Sequence, residues 1–189
     1  MKTIKDVFTE YKQGLNNIYD QNELEAITLI AVSEISSLSR AKIKAFPETE
    51  LSGDQVEKLA DTLGQLKTGK PIQYILGKTG FYGLSFYVNP SVLIPRPETE
   101  ELVEWAIASV GSLQWAAGSI LDIGTGSGCI AISLKKNLLT FDVSAIDISH
   151  EALQTAKANA KLNSVDIEFI EGDILNNYSP LTAHYSPLT

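Results

Sequence analysis

The stretch Ile120-Leu121-Asp122-Ile123-Gly124-Thr125-Gly126-Ser127-Gly128-Cys129 constrains this chain more than any other. An apolar, β-branched run of this kind reads as a buried parallel strand. It breaks at three alternating glycines before the helical pattern Ile130-Ala131-Ile132-Ser133-Leu134-Lys135. Glycines at alternate positions let the backbone take positive φ and come close to a ligand, and the free N–H groups of the next helix face the same space. Strand, tight loop and helix in this order predict a site for a nucleotide-like molecule.

Downstream the alternation continues. Phe141 to Asp147 reads as a second strand ending in a carboxylate. Ser149 caps a helix with Leu153, Ala156 and Ala160 on one face, ending near Asn163. Ile167 to Ile170 reads as a third strand, followed by Glu171-Gly172-Asp173. Strands alternating with helices imply right-handed parallel crossovers and a Rossmann-like α/β sheet. Only three such strands are legible, where doubly wound sheets usually have about five or more. The tail repeats Tyr178-Ser179-Pro180-Leu181-Thr182 as Tyr185-Ser186-Pro187-Leu188-Thr189. The repeat and the exposed edge of a third parallel strand predict that the natural chain continues past Thr189; the alternative is a flexible tail on a complete protein.

Upstream the period is helical. Ile4, Val7, Phe8, Tyr11, Leu15 and Ile18 recur at spacings of three and four through Tyr19, and a second stripe runs from about Glu23 to Leu38. A short piece from Arg40 to Phe46 ends before Pro47. Ser52-Gly53-Asp54-Gln55 has the spacing of a capping box and opens a helix toward Gly69. At Pro71 the pattern changes, and Ile72 to Gly77 with Phe81 to Val88 reads as a β-hairpin between two domains. Leu93-Ile94-Pro95-Arg96-Pro97-Glu98-Thr99-Glu100 then leads into a helix with Pro97 at its first position and acids at its positive end. The predicted organisation is a helical bundle over residues 1–70, a hairpin linker over 71–90 and a partial α/β domain over 91–189.

Bulk properties narrow the function. A net charge of −8 argues against wrapping nucleic acid, whose affinity comes from neutralised phosphates. One cysteine excludes an internal disulfide and makes no metal site by itself, so no metal is expected. No run approaches about 18 apolar residues, and the first residues lack a signal-peptide core, so no membrane association and a cytoplasmic location are expected.

Three carboxylates, Asp122, Asp147 and Asp173, fall at successive strand ends, where ligands bind in an open parallel sheet. Asp147 lies 23 residues beyond Gly124, the position of a carboxylate that accepts ribose hydroxyls; the plainer reading is a strand-end surface residue. The spacing then discriminates between cofactors. A dinucleotide loop wants G-x-G-x-x-G or alanine, and here the last position is Cys129. Asp-x-Gly-x-Gly-x-Gly is instead the pattern of class I methyltransferases that bind S-adenosylmethionine. Cys129 itself reads as a small buried residue, not a nucleophile.

The resemblance narrows further upstream. Pro71-Ile72-Gln73-Tyr74-Ile75-Leu76-Gly77, Phe81-Tyr82-Gly83-Leu84-Ser85-Phe86 and Leu93 to Glu100 resemble the HemK (PrmC) family, protein-(glutamine-N5) methyltransferases acting on the Gly-Gly-Gln loop of peptide chain release factors. The resemblance runs from the helical start to Asp173. It implies that residues 1–70 help dock a release factor and that 91–189 is an incomplete Rossmann-like class I methyltransferase domain. It implies S-adenosyl-L-methionine held by Gly124, Thr125, Gly126, Ser127, Gly128 and Asp147, with Asp173 and Ile174 near the adenine. Phe81, Arg96, Thr99 and Glu100 then border the methionine end or the substrate. A monomer is expected. The family's catalytic Asn-Pro-Pro-Tyr does not occur in these residues, so no catalytic residue is assigned and the chain as given is expected not to methylate.

Two other functions stay open: a non-catalytic cofactor-binding and docking module, and an NAD-using oxidoreductase fragment, which Cys129 disfavours. Glu98-Thr99-Glu100 also reads as ordinary helix-start acids, His150 as a solvated helix-start residue, His184 as tail, and Trp105 and Trp115 as packing residues.

Overall fold

A computed structural model of the chain describes residues 2–112 and 117–176. The chain forms two compact units, Met1–Leu76 and Gly77–Thr189. His184, Trp115 and the repeated tail lie outside the described residues.

The first unit is helical. Helix α1 (Ile4–Leu15) opens on a capping box in which Thr3 and Asp6 satisfy each other's backbone N–H groups, and it buries Ile4, Val7, Tyr11 and Leu15. The apolar stripe that continues to Tyr19 in sequence is not all helix. After Leu15 the N–H groups of Ile18 and Tyr19 both donate to the Leu15 carbonyl, closing a turn. Helix α2 (Gln21–Ser36) starts on Asp20, whose carboxylate accepts from Asn22 and Glu23, and stops where Ser37 turns left-handed at φ 59°. A short α3 (Arg40–Ala45) follows. Helix α4 (Gly53–Leu66) opens on the Ser52–Gln55 capping box legible in the sequence. The loop between α3 and α4 is tied to the chain's start, with Ile4 donating to the Thr49 carbonyl and Lys5 to that of Pro47.

Residues 72–76 depart from the sequence reading. They form helix α5 (Ile72–Leu76) within the first unit instead of a strand. Pro71 sets the first turn, its carbonyl accepting from Tyr74 and Ile75, and Ile72 is buried in the helical core. Burial on a neighbouring helix outweighs the weak strand preference of branched residues.

In the second unit, β1 (Lys78–Phe81) and β2 (Leu84–Tyr87) make an antiparallel hairpin. Its two-residue turn has both Tyr82 and Gly83 at positive φ, the primed geometry that matches strand twist. The hairpin belongs to this unit and is not a free-standing linker, because the ring of Phe86 is fully buried with Phe81, Val103 and Ile132. Helix α6 (Glu98–Ser112) turns Val103 inward. Trp105 lies on its other side and is 69% exposed, so it is not a packing residue; two positions from Val103 on a 3.6-residue helix is the opposite face.

A parallel sheet follows in the order β3 (Gly118–Ile123), β4 (Phe141–Asp147), β5 (Glu168–Glu171), with α7 (Cys129–Asn137) and α8 (His150–Leu162) as crossovers. Sequential order with right-handed crossovers puts both helices on one face. There Val143 and Ala145 pack with Ala131, Ile132 and Ala160. The strand-end register sets Ile123 beside Ile146 and Asp147 beside Glu171. No described helix is long and apolar enough to cross a membrane.

The phenol of Tyr11 is buried in the helical unit and donates to the Leu59 carbonyl at 2.8 Å, joining α1 to α4; burial pushes its pKa above the ordinary tyrosine value. Tyr11→Phe should cost about 0.5 to 1.5 kcal/mol of unfolding free energy, the net worth of one hydrogen bond, since the Leu59 carbonyl keeps its helical partner. Urea denaturation followed by far-ultraviolet circular dichroism checks this, and an unchanged midpoint would refute it.

Candidate functional site

The site is built where β3 and β4 end. Gly124, Gly126 and Gly128 have φ of +74°, +54° and +79°, so every second residue of the loop is left-handed. For an L-residue that conformation costs roughly 1–2 kcal/mol, which explains three glycines at alternate positions. A Cβ on Gly124 or Gly126 would point into open space, whereas one on Gly128 would come within 3.0 Å of the Ile132 side chain and 3.2 Å of Ala156. The first two glycines thus expose backbone to the crevice, and the third lets α7 lie close on α8.

The loop is fastened to the end of β4. The Ile146 carbonyl accepts from Gly124 (2.8 Å) and Thr125 (3.1 Å), and the Gly128 N–H closes a turn onto the Thr125 carbonyl. The Asp147 carboxylate accepts from the Gly126 N–H with one oxygen (2.8 Å) and from the Ser149 N–H with the other (2.9 Å). Its own carbonyl accepts from Gly172, which brings the loop after β5 to the same place. Ser149 also caps α8 by accepting from Ala152.

Asp122 sits beneath. One carboxylate oxygen accepts from the Thr125 hydroxyl (2.7 Å) and the Ala131 N–H (3.3 Å), linking strand, loop and helix. Burial raises its pKa; the two hydrogen bonds oppose the rise, and the charge of Asp147 adds to it. Burial likewise raises the Cys129 thiol, leaving it a poor nucleophile.

Thr125 and Ser127 are buried, Gly126 and Asp147 half-buried. Asp173 follows β5 and accepts from the Leu175 N–H (2.9 Å), with Ile174 half-buried beside it. The second group of expected residues gathers at the hairpin and the start of α6. One Glu100 carboxylate oxygen accepts from the Tyr82 N–H at 2.7 Å, at the residue held at φ +48°. Glu100 thereby steadies a strained turn. The Phe81 ring is 2% exposed and meets Phe86 edge-on at 6.1 Å, so it is a core residue. The Arg96 side chain is exposed, and its carbonyl accepts from the half-buried Thr99. His150 is exposed and pairs with Glu171 at 2.7 Å, an arrangement that contributes little to stability.

Two residues escaped the sequence reading. Ile148 follows Asp147 and is 70% exposed, an apolar face beside a strand-end carboxylate. Asn159 is completely buried on α8, where its amide bonds the Ser127 carbonyl and both backbone groups of Tyr87. The available signal was an asparagine inside a helix on an alanine-lined face, since asparagine is a poor interior helix former unless its amide has work to do.

Residues 6–77 match the PrmC N-terminal domain family and residues 108–185 match the methyltransferase small domain family, together more than half of the chain. The chain is 51% identical to the release factor glutamine methyltransferase of Flavobacterium psychrophilum, over 91% of this chain and 61% of that protein. It is 36% identical to the protein of that name from Bacillus subtilis, over 93% of this chain and 62% of that one. The chain thus spans about three fifths of the length of these relatives. Among solved structures it is similar to the tRNA (uracil-54, C5)-methyltransferase of Pyrococcus abyssi in complex with S-adenosyl-L-homocysteine. That likeness has a TM-score of 0.42 and 22% identity, over 51% of this chain and 23% of that one.

A raised pKa on Asp122 has a defined sign in stability. Above 3.8 the unfolded chain releases this proton while the folded chain still holds it, so folding loses free energy as pH rises through that window. Asp122→Asn keeps an acceptor for Thr125 and removes the ionisation. Its stability relative to wild type should therefore grow as the pH is raised from 4 toward neutrality, by denaturant titrations at several pH values; a difference that is flat or falls with pH would contradict this.

Proposed function

The chain belongs to the family defined by the PrmC N-terminal domain followed by a methyltransferase small domain, and on that premise we propose that it binds S-adenosyl-L-methionine at the glycine loop and docks a peptide chain release factor. The observation that carries this is the loop itself: two left-handed glycines whose missing side chains leave open space, held against a strand-terminal carboxylate.

That arrangement fits an adenosyl group. A carboxylate has about four lone-pair sites, and in Asp147 the Gly126 and Ser149 N–H groups occupy one on each oxygen, so capacity remains for the two ribose hydroxyls. Ile148, next to Asp147, and Ile174, two residues beyond Gly172, offer apolar surface suited to a flat adenine, with Asp173 to accept from its amino group. Gly124 to Gly128 admits the methionine portion against bare backbone. Thr99, Glu100, Arg96 and Phe81 belong to the segments bordering that end; Glu100 and Phe81 act there by shaping the hairpin.

When bound, the cofactor supplies an electrophilic methyl group on a sulfonium. The acceptor by this reading is the glutamine side-chain amide of the Gly-Gly-Gln loop. Its nitrogen lone pair is delocalised into the carbonyl, so transfer depends on positioning and electrostatics more than on a base. The chain's role is to hold the donor, exclude water with Thr125 and Ser127, the buried residues of the loop, and present the release factor. A net charge of −8 suits a protein partner better than bare nucleic acid. By the same reading the protein works in the cytoplasm, as a monomer.

Calorimetric titration with S-adenosylhomocysteine and with NADH tests the cofactor. The first should bind and the second should not, and the reverse would establish the oxidoreductase alternative. Asp147→Ala should weaken S-adenosylhomocysteine by about ten- to hundredfold, the loss of hydrogen bonds to a charged acceptor. Incubation with a release factor and S-adenosylmethionine should yield a complex without a one-methyl gain in mass, because Asn-Pro-Pro-Tyr does not occur in these residues. Methylation by this chain would overturn the reading that transfer needs that motif.

A further inference from the structure

The outer edge of β2 is covered by a helix. β2 pairs with β1 through its even-numbered residues, as in the bond from the Val88 N–H to the Gly77 carbonyl, so Ser85 and Tyr87 turn their backbone groups outward. Two residues of α8 and its C-cap Asn163, at a spacing of four, meet that edge. Asn163 donates to the Ser85 carbonyl at 2.9 Å, Asn159 accepts from the Tyr87 N–H at 2.6 Å and donates to its carbonyl at 3.0 Å, and Thr155 accepts from the Asn89 side chain at 2.9 Å. Four helical residues advance about 6 Å and two strand residues about 6.6 Å, so the two periods stay in step over this length.

Asn159 does more than cover an edge. Its Nδ2 also donates to the Ser127 carbonyl at 2.9 Å. One acceptor bond and two donor bonds are satisfied in only one orientation of the amide, since exchanging oxygen and nitrogen would set like against like at all three contacts. The side chain is 0% exposed, so water offers no substitute for a lost bond. Ser127 lies between Gly126 and Gly128, the residues whose backbone sterics restrain the loop least.

We propose that Asn159 is a positioning residue for the cofactor loop, locking the turn from Gly126 to Gly128 to the outer edge of the hairpin so that the two move as one; this rests on the reading of the loop as a cofactor site. A bound cofactor stiffens Tyr87 through this amide, and a displacement of the strand at Tyr87 weakens cofactor binding.

Two measurements on the whole chain test it. Asn159→Asp keeps the shape and the acceptor for Tyr87 but turns a second oxygen toward the Ser127 and Tyr87 carbonyls; Asn163→Ala frees the same edge at Ser85 and leaves the loop bond in place. At a temperature where both variants are folded, N163A should bind S-adenosylhomocysteine within about twofold of wild type and N159D about tenfold or more weakly, the worth of a buried hydrogen bond. Equal affinities would overturn the proposal. Should N159D not fold, wild-type hydrogen exchange decides. Saturating S-adenosylhomocysteine should slow exchange at the Tyr87 amide together with the amides of Gly126 and Gly128, and a Tyr87 amide that is unmoved while the loop responds would overturn it. A wild-type chain that does not bind S-adenosylhomocysteine refutes the cofactor reading instead, and this proposal falls with it.

Discussion

The Ile146 carbonyl takes two hydrogen bonds from the loop after β3, and the next residue, Asp147, takes a third on its carboxylate and a fourth from Gly172 on its carbonyl. β4 lies between β3 and β5, so its last two residues govern how both neighbouring strands are left. A slip of one residue in its register would turn Asp147 to the other face and deprive Gly126 of its acceptor. The core residues Val143 and Ala145, packed on α7 and α8, resist that slip. Apolar packing on one face of β4 thus determines where a polar group stands at its end.

Two carboxylates near one loop are used in opposite ways. Asp122 is half-buried under the loop, where desolvation disfavours its ionisation and its hydrogen bonds join Thr125 to Ala131. Asp147 keeps contact with the crevice while binding the loop from the side. The first holds the loop up and the second shapes its mouth. The positive φ values survive because these bonds, with that from Asn159, restrain a backbone that glycine leaves free.

Features resting on neighbours in sequence were legible in it. The strand, glycine loop and helix, the Ser52–Gln55 box and the Ser149 cap are local chemistry, and each stands where its pattern placed it, although β3, expected to be buried, has no buried residue and leaves Ile123 55% exposed. Features that depend on distant parts of the fold were not. Ile72 to Leu76 has the composition of a strand and is a helix because Ile72 finds a helical core. Trp105 faces outward on α6, since composition does not say which side of a helix is covered. Glu100 reads as a helix-start acid until the strained Tyr82 turn appears opposite it. Asn159 has partners 32 and 72 residues away, a separation invisible to any pattern within its helix.

That last separation bears on synthesis. The hairpin leaves the ribosome long before α8, and at about 5–20 residues per second the 72 residues between Tyr87 and Asn159 take roughly 4 to 14 s to emerge. For that interval the outer edge of β2 has no helix to cover it, and an uncovered strand edge is a template for pairing with other chains. A two-residue turn and a four-residue strand keep that template short. Brevity protects the nascent hairpin until the helix that completes it has been made.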